Sequence, residues 1–289
     1  MLVLLSVLWG SSFVFVELIL TAIPVFTLVA LRVSIAAIAL WISVLATGAK
    51  LPTALPVWAA FGVLGLLNNV VPFSLIVWGQ TAITAGLAAI LNATTPIFTA
   101  VIATLVLADE KLTAAKMAGL ILGLCGVAVM IGPDAVATLG EDLFHQLAVL
   151  GAALSYGFAA VFVRRFKGFG APPMVIAAGQ TSAAGLIMVP VALLVDGPSV
   201  LGAPGLGVWS AILANAVLST AFAYCLYFIL LRRAGATNTV LVTVLVPVVA
   251  VVVGTITLNE ALSATQIVGM MLIFCALAVI DGRLLRRSR

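Results

Sequence analysis

The sequence predicts an all-α polytopic membrane protein, with ten transmembrane helices arranged as two inverted five-helix repeats. Three observations predict it. Of 289 residues, 64% are hydrophobic and only 8% charged, and the mean hydropathy is +1.35. Apolar runs of ~20 residues, the length a bilayer demands, recur along nearly the whole chain. All but one of the 13 lysines and arginines fall on one predicted side of the membrane. A water-soluble domain is excluded, because charge must cover its surface. The longest polar interval, 133–145, is too short for a soluble catalytic head.

In chain order the predicted spans are 2–20, 25–47, 57–79, 86–108, 114–132, 146–165, 174–195, 208–231, 237–258 and 264–281. The first lacks a basic n-region and a small-x-small cleavage site, so it reads as a retained helix and not a signal peptide. With the N-terminus in the cytoplasm, Lys50, Lys111, Lys116, Arg164, Arg165, Lys167, Arg232 and Arg233 lie at inner loops and helix ends. Arg283, Arg286, Arg287 and Arg289 close an inner C-terminal tail. Asp134, Glu141, Asp142, Asp196 and Glu260 fall outside. This is the positive-inside pattern, and one helix more or fewer would scramble it. The basic excess therefore reports topology; no nucleic-acid partner is implied. Cys125, Cys225 and Cys275 all fall within spans, where cysteine packs as a small apolar residue.

The repeat is legible in two stretches. "DEKLTAAKMAGLILGLCGVAVMIG" (109–132) aligns with "NEALSATQIVGMMLIFCALAVIDG" (259–282), pairing Glu110 with Glu260, Gly119 with Gly269, Cys125 with Cys275 and Gly132 with Gly282. Slightly earlier Pro96 aligns with Pro247, and Pro24 precedes Arg32 by the interval that separates Pro172 from Gln180. The units are 1–140 and 141–289. Five helices each is an odd number, so the second unit must enter the membrane from the opposite side, a plan suited to alternating access. Pro96 and Pro247 fall ~15 Å into spans four and nine, near the midplane, where transporters place bent helices and their sites.

"WGSSF" (9–13), "ALR" (30–32), "TAGLAAILNATTPIFTAVIATLVLADEKLT" (84–113) and its echo "GATNTVLVTVLVPVVAVVVGTITLNEALS" (235–263) resemble the ten-helix drug/metabolite transporters, and more narrowly the EamA-type metabolite exporters. The resemblance covers essentially the full chain. It implies a bacterial inner membrane and outward movement of small amphipathic metabolites. Within the family the chain is similar to amino-acid exporters, including an aromatic amino-acid branch.

Helical projection supplies candidate substrate contacts. Asn92, Thr95, Pro96 and Thr99 share one side of span four, and Trp9, Ser12, Phe13 and Val16 one side of span one. Asn215 pairs with Ser219 in span eight, where Thr220, Tyr224 and Tyr227 form a separate stripe; Thr243 and Pro247 share a face of span nine. Polar side chains in spans point into the bundle or a watery cavity. The alternative use is bonding between neighbouring helices, ~0.6 kcal/mol each. Deep aromatic residues Trp9 and Tyr156 offer a wall for an apolar side chain, or plain core packing. Trp41, Trp58, Trp78 and Trp209 sit near span ends, as interfacial belts require, with Trp78 a weaker vestibule candidate. Gly119 and Gly123 form a GxxxG scaffold face.

Arg32 is the only basic residue well inside a span, at a cost of ~2.5–3.5 kcal/mol on insertion scales. An intramembrane ion pair with Glu17, across the 21–24 turn, is the expected arrangement; a substrate carboxylate is the alternative partner. No other ionisable residue is central. The expectation is therefore facilitated diffusion of neutral or zwitterionic solutes, with proton exchange through Glu17 as the alternative. Phosphorylated substrates would want several basic residues. A membrane-embedded enzyme would need clustered metal ligands or acid–base pairs, and the chain has one histidine. No P-loop is present. No cofactor is expected; the expected partners are a small metabolite and the lipid bilayer. A non-transporting membrane scaffold remains the other class.

Overall fold

The computed structural model describes residues 1–107, 114–131, 141–197, 204–239, 241–258 and 263–281. Among them every regular element is helical. We label these α1 (Leu2–Leu20), α2 (Val25–Ala46), α3 (Leu55–Gly79), α4 (Ala85–Val106), α5 (Ala114–Ile131), α6 (Glu141–Phe162), α7 (Pro173–Val195), α8 (Leu206–Leu213, continuing through Ala214–Phe222 to Thr239), α9 (Leu241–Leu258) and α10 (Ala264–Asp281). Among the described residues, seven helices are long and apolar enough to cross a membrane. The apolar stretches Met117–Gly126, Leu245–Leu258 and Ala264–Ala276 are shorter. Large apolar side chains such as Leu55, Leu105, Leu194 and Leu206 are almost wholly exposed. So broad an oily exterior is stable only against lipid.

The two largest differences from the expected boundaries lie in α6 and α8. α6 begins at 141 instead of 146, because Asp142 in a first turn complements the positive end of the helix dipole. α8 runs on to Thr239, past the expected end at 231. Glu110, Glu260, Lys111 and the basic tail after 282 lie outside the described residues.

Three breaks shape the interior. α3 passes through a π-helical turn at Leu66–Val70, where Val71 N–H donates to Leu66 O. α8 does the same over Ala214–Phe222. Each extra residue rotates the remainder of its helix by about 100° relative to an ideal α-helix. α4 is interrupted between Asn92 and Thr95, and Pro96 lies in the first turn of its second half. Proline cannot donate to the carbonyl one turn back, so Asn92 O takes the Thr95 hydroxyl instead, at 2.7 Å. In α9, Pro247 is accommodated within one continuous helix.

The helices pack in matching pairs. α2 lies along α7, and α5 along α10. α1 packs on α8 and α9, while α6 packs on α3 and α4. α2 crosses α8 much as α7 crosses α3. Close approach depends on glycine in α1 and in α6. A Cβ on Gly10 would lie 2.7 Å from Val249 of α9, and one on Gly157 would lie 3.2 Å from the Phe98 and Thr99 backbone of α4. Those partners sit two or three residues beyond the two aligned prolines. Gly123 of the GxxxG face lies against Ala276 of α10, as a scaffold role requires. Three buried apolar clusters result, and Tyr156 packs against two of them.

Candidate functional site

The π-turns of α3 and α8 concentrate the buried amides and hydroxyls. On α8, Asn215 is fully buried; its Oδ1 accepts from the Ser12 hydroxyl of α1 at 2.9 Å, while its Nδ2 donates to no group among the described residues. The Ser219 hydroxyl, four residues on, is buried and equally unused. Thr220 donates to Asn215 O at 3.0 Å, the five-residue reach of a π-turn. The Thr220 hydroxyl thus meets the backbone of Asn215, not its side chain. On α3, Asn68 Nδ2 donates to Gln180 Oε1 of α7 at 3.2 Å and to the Tyr224 hydroxyl at 3.3 Å. Asn69 Nδ2 also reaches Tyr224, at 3.4 Å, and leaves its Oδ1 buried without a donor.

Arg32 does not form the expected ion pair. Its Nε donates to Thr220 Oγ1 at 3.0 Å, and its guanidinium lies 4.0 Å from the centre of the Phe73 ring. Glu17 is engaged elsewhere: its Oε2 accepts from Ala85 N–H at 3.0 Å. The physical reason is competition. The N-terminus of α4 offers unsatisfied backbone donors and a positive dipole end, which hold a carboxylate in place. Asp196 acts similarly at the start of α2, accepting from Thr27 N–H and Thr27 Oγ1, both at 2.7 Å. Arg32 remains within electrostatic reach of the Tyr156 and Tyr224 phenols.

Along α4, Asn92 Oδ1 is buried with no donor. Thr95 and Thr99 are half-buried, but their hydroxyl protons go to Asn92 O and Thr95 O at 2.7 and 2.8 Å, leaving only acceptor lone pairs for a solute. Trp9 is half-buried, its ring 5.7 Å from that of Tyr227. Tyr156 stands at the seam between the two clusters it touches. Trp78 is 41% exposed and 4.4 Å from the His145 ring, as a belt residue would be. Trp41 departs from a simple belt role, since its Nε1 donates to Ser182 Oγ of α7 at 2.7 Å. The Thr243 side chain lies outside the described residues, while Pro247 is buried within α9.

The structure therefore links Ser12 to the Asn215 side chain, Arg32 through Thr220 to the Asn215 carbonyl, and Tyr224 to the amides of α3, with Ser219 one turn from Asn215. It adds Asn68, Asn69, Phe73 and Gln180, which sequence reasoning passed over. A signal for the two asparagines existed: "LLNNV" places adjacent amides inside an apolar run, and amides are costlier to bury than hydroxyls, which can bond their own helix.

A helical bundle with a lipid-facing apolar exterior and unfilled polar groups inside has the build of a membrane-embedded transporter. The comparisons with known proteins identify it as one. The EamA-like transporter family model matches residues 1–132 and 143–281, so the chain belongs to that family. It is 29% identical over 278 residues to a Bacillus subtilis protein named as the uncharacterized transporter YoaV, covering 94% of this chain and 92% of that one. It is 28% identical over 291 residues to a Streptantibioticus cattleyicolor protein named as a probable terminal-alkyne amino-acid exporter, covering 100% and 94%. The Escherichia coli protein named as the inner membrane transporter YedA is 25% identical, with 97% and 90% covered. One crystal structure shares the fold with a TM-score of 0.71 at 23% identity, over 100% of this chain and 98% of the other.

Proposed function

We propose that this transporter exports small neutral or zwitterionic metabolites, most of all amino acids with aromatic or other apolar side chains. It works by alternating access between two oppositely oriented five-helix units, 1–140 and 141–289, in a bacterial inner membrane, with both termini cytoplasmic. The observation that carries this reading is the set of buried, unfilled and uncharged polar atoms: Asn92 Oδ1, Asn215 Nδ2 and Ser219 Oγ. Unpaired buried groups cost about 1–3 kcal/mol each, and a solute offering a donor and an acceptor relieves that cost. Trp9, Tyr156 and Tyr227, which pack against one apolar cluster, supply aromatic surface for an apolar side chain. The relative named as a probable amino-acid exporter points the same way.

The two-unit mechanism is supported by the matched helix pairs and by Gly10 and Gly157, which bring the first helix of each unit against the fourth of the other. Equivalent contacts in two units can be exchanged by a rocking motion around a fixed site. Facilitated diffusion is favoured over proton coupling because the Glu17 carboxylate caps α4, a role that wants it ionised throughout the cycle.

Counterflow in proteoliposomes tests the proposal. Labelled amino acids should exchange without an imposed pH gradient. Asn92→Ala and Asn215→Ala should each cut exchange about tenfold, the equivalent of one lost hydrogen bond to a solute, with membrane abundance unchanged. Strict dependence on a pH gradient would restore proton coupling, and parallel loss of abundance would return both residues to scaffold. Single-cysteine labelling at Ala82 and Ala236, ahead of the fourth helix of each unit, should find them on opposite faces of the membrane.

A further inference from the structure

We infer that Arg32 is the carboxylate anchor of the site, so that the substrates are α-amino acids or other monocarboxylates and not their uncharged derivatives. The inference rests on the amino-acid reading above. Arg32 is 8% exposed, and a guanidinium carries five N–H donors with a permanent charge. Among the described residues only Nε has a protein acceptor, the Thr220 hydroxyl. The Phe73 face on the other side is attractive to a cation but neutral. Among the described residues no carboxylate meets this charge: Glu17 caps α4 and Asp196 caps α2. A buried charge without a counter-ion is among the costliest arrangements in a membrane protein.

What Arg32 has instead is orientation. Thr220 holds the Nε edge, the Phe73 ring lies 4.0 Å from the guanidinium carbon, and the two outer nitrogens donate to no group among the described residues. That is half of the fork-to-fork geometry by which arginine grips a carboxylate. The surroundings suit the rest of an amino acid. Thr220 is bonded to Asn215, whose Nδ2 is free, and Ser219 is adjacent. Asn69 Oδ1, about one turn before Phe73 on α3, is an unfilled acceptor of the kind an ammonium needs. Tyr156 and Tyr224 stand close enough to feel the guanidinium and add no negative charge at neutral pH.

The test compares the twenty proteinogenic amino acids with their C-terminal amides, as competitors in counterflow and as protectants of purified protein against thermal unfolding. Wild type should prefer the free acid of each effective pair by at least tenfold. Arg32→Gln should bring acid and amide to within about twofold of each other by weakening only the acid. Where Arg32→Gln does not accumulate, Arg32→Lys is read in its place. It should keep the preference while weakening acids about tenfold, since an ammonium lacks the fork. Amides that match acids in wild type overturn the anchor, as does a full acid preference surviving in Arg32→Gln or unaltered affinity in Arg32→Lys. In those cases amino-acid exchange continues and the transport reading stands. If no amino acid exchanges or protects at all, the transport reading falls, and the anchor falls with it.

Discussion

Arg32 and Gln180 stand at matching positions of the two proposed units, the same interval after Pro24 and Pro172. Both are buried, and each reaches across to the other unit. Arg32 on α2 bonds Thr220 on α8, and Gln180 on α7 accepts from Asn68 on α3. Their surroundings differ. The Arg32 side has an aromatic face, a hydroxyl acceptor and uncommitted donors; Gln180 has a neutral amide partner. The scaffold constraint, one polar cross-link between the second and seventh helices and the π-turned third and eighth, is met twice. The charge is placed once. In the proposed scheme the paired packing would serve the mechanics of two units, while a substrate with one carboxylate would need a single positive partner.

Swapping the two residues gives the largest expected effect. The double variant Arg32→Gln with Gln180→Arg should lower amino-acid counterflow about a hundredfold. Removing one partner of a buried charged contact costs roughly 2–5 kcal/mol, and neither Phe73 nor Thr220 follows the guanidinium to its new place. Activity within threefold of wild type would show the two sides to be interchangeable and end the comparison.

Phe73→Leu should have a smaller effect. Losing a cation–π contact of about 1 kcal/mol should raise KM for counterflow about fivefold at unchanged abundance; an unchanged KM would leave the ring as packing alone. Gln180→Leu should be smallest in transport and visible in stability. It removes one neutral hydrogen bond, about 1 kcal/mol, so the detergent-solubilised protein should melt a few degrees lower while KM stays within twofold. A KM rise as large as that of the arginine swap would place Gln180 in the binding site as well.

The part of this architecture that was legible in sequence was the part set by solvent. Lipid demands long apolar helices, and their positions followed from hydropathy to within a few residues in α1, α2 and α7. The proline positions and the Ser12, Asn215 and Arg32 candidates were also legible, because polar or helix-breaking residues in oil stand out. The partners were not. Glu17 and Arg32 looked like a pair because they flank one turn, but the N-terminus of α4, distant in sequence, bids for the carboxylate more strongly. Thr95 looked like a ligand-facing hydroxyl until the break at Pro96 claimed its proton. The bond from the Thr220 hydroxyl to the Asn215 carbonyl was not legible, because projection assumes 3.6 residues per turn and a π-turn is an exception that local sequence does not announce.

Sequence alone therefore determined that the chain lives in a membrane, where its helices run and which few residues are too polar to be there by accident. Those features arise from transfer free energies, which depend on residue type and little on neighbours. Tertiary structure alone decided which polar groups are spent on one another and which are left over. Hydrogen bonds and charges are satisfied by whatever group folding brings within ~3 Å, and for Arg32, Asn215 and Asn69 that group comes from another helix.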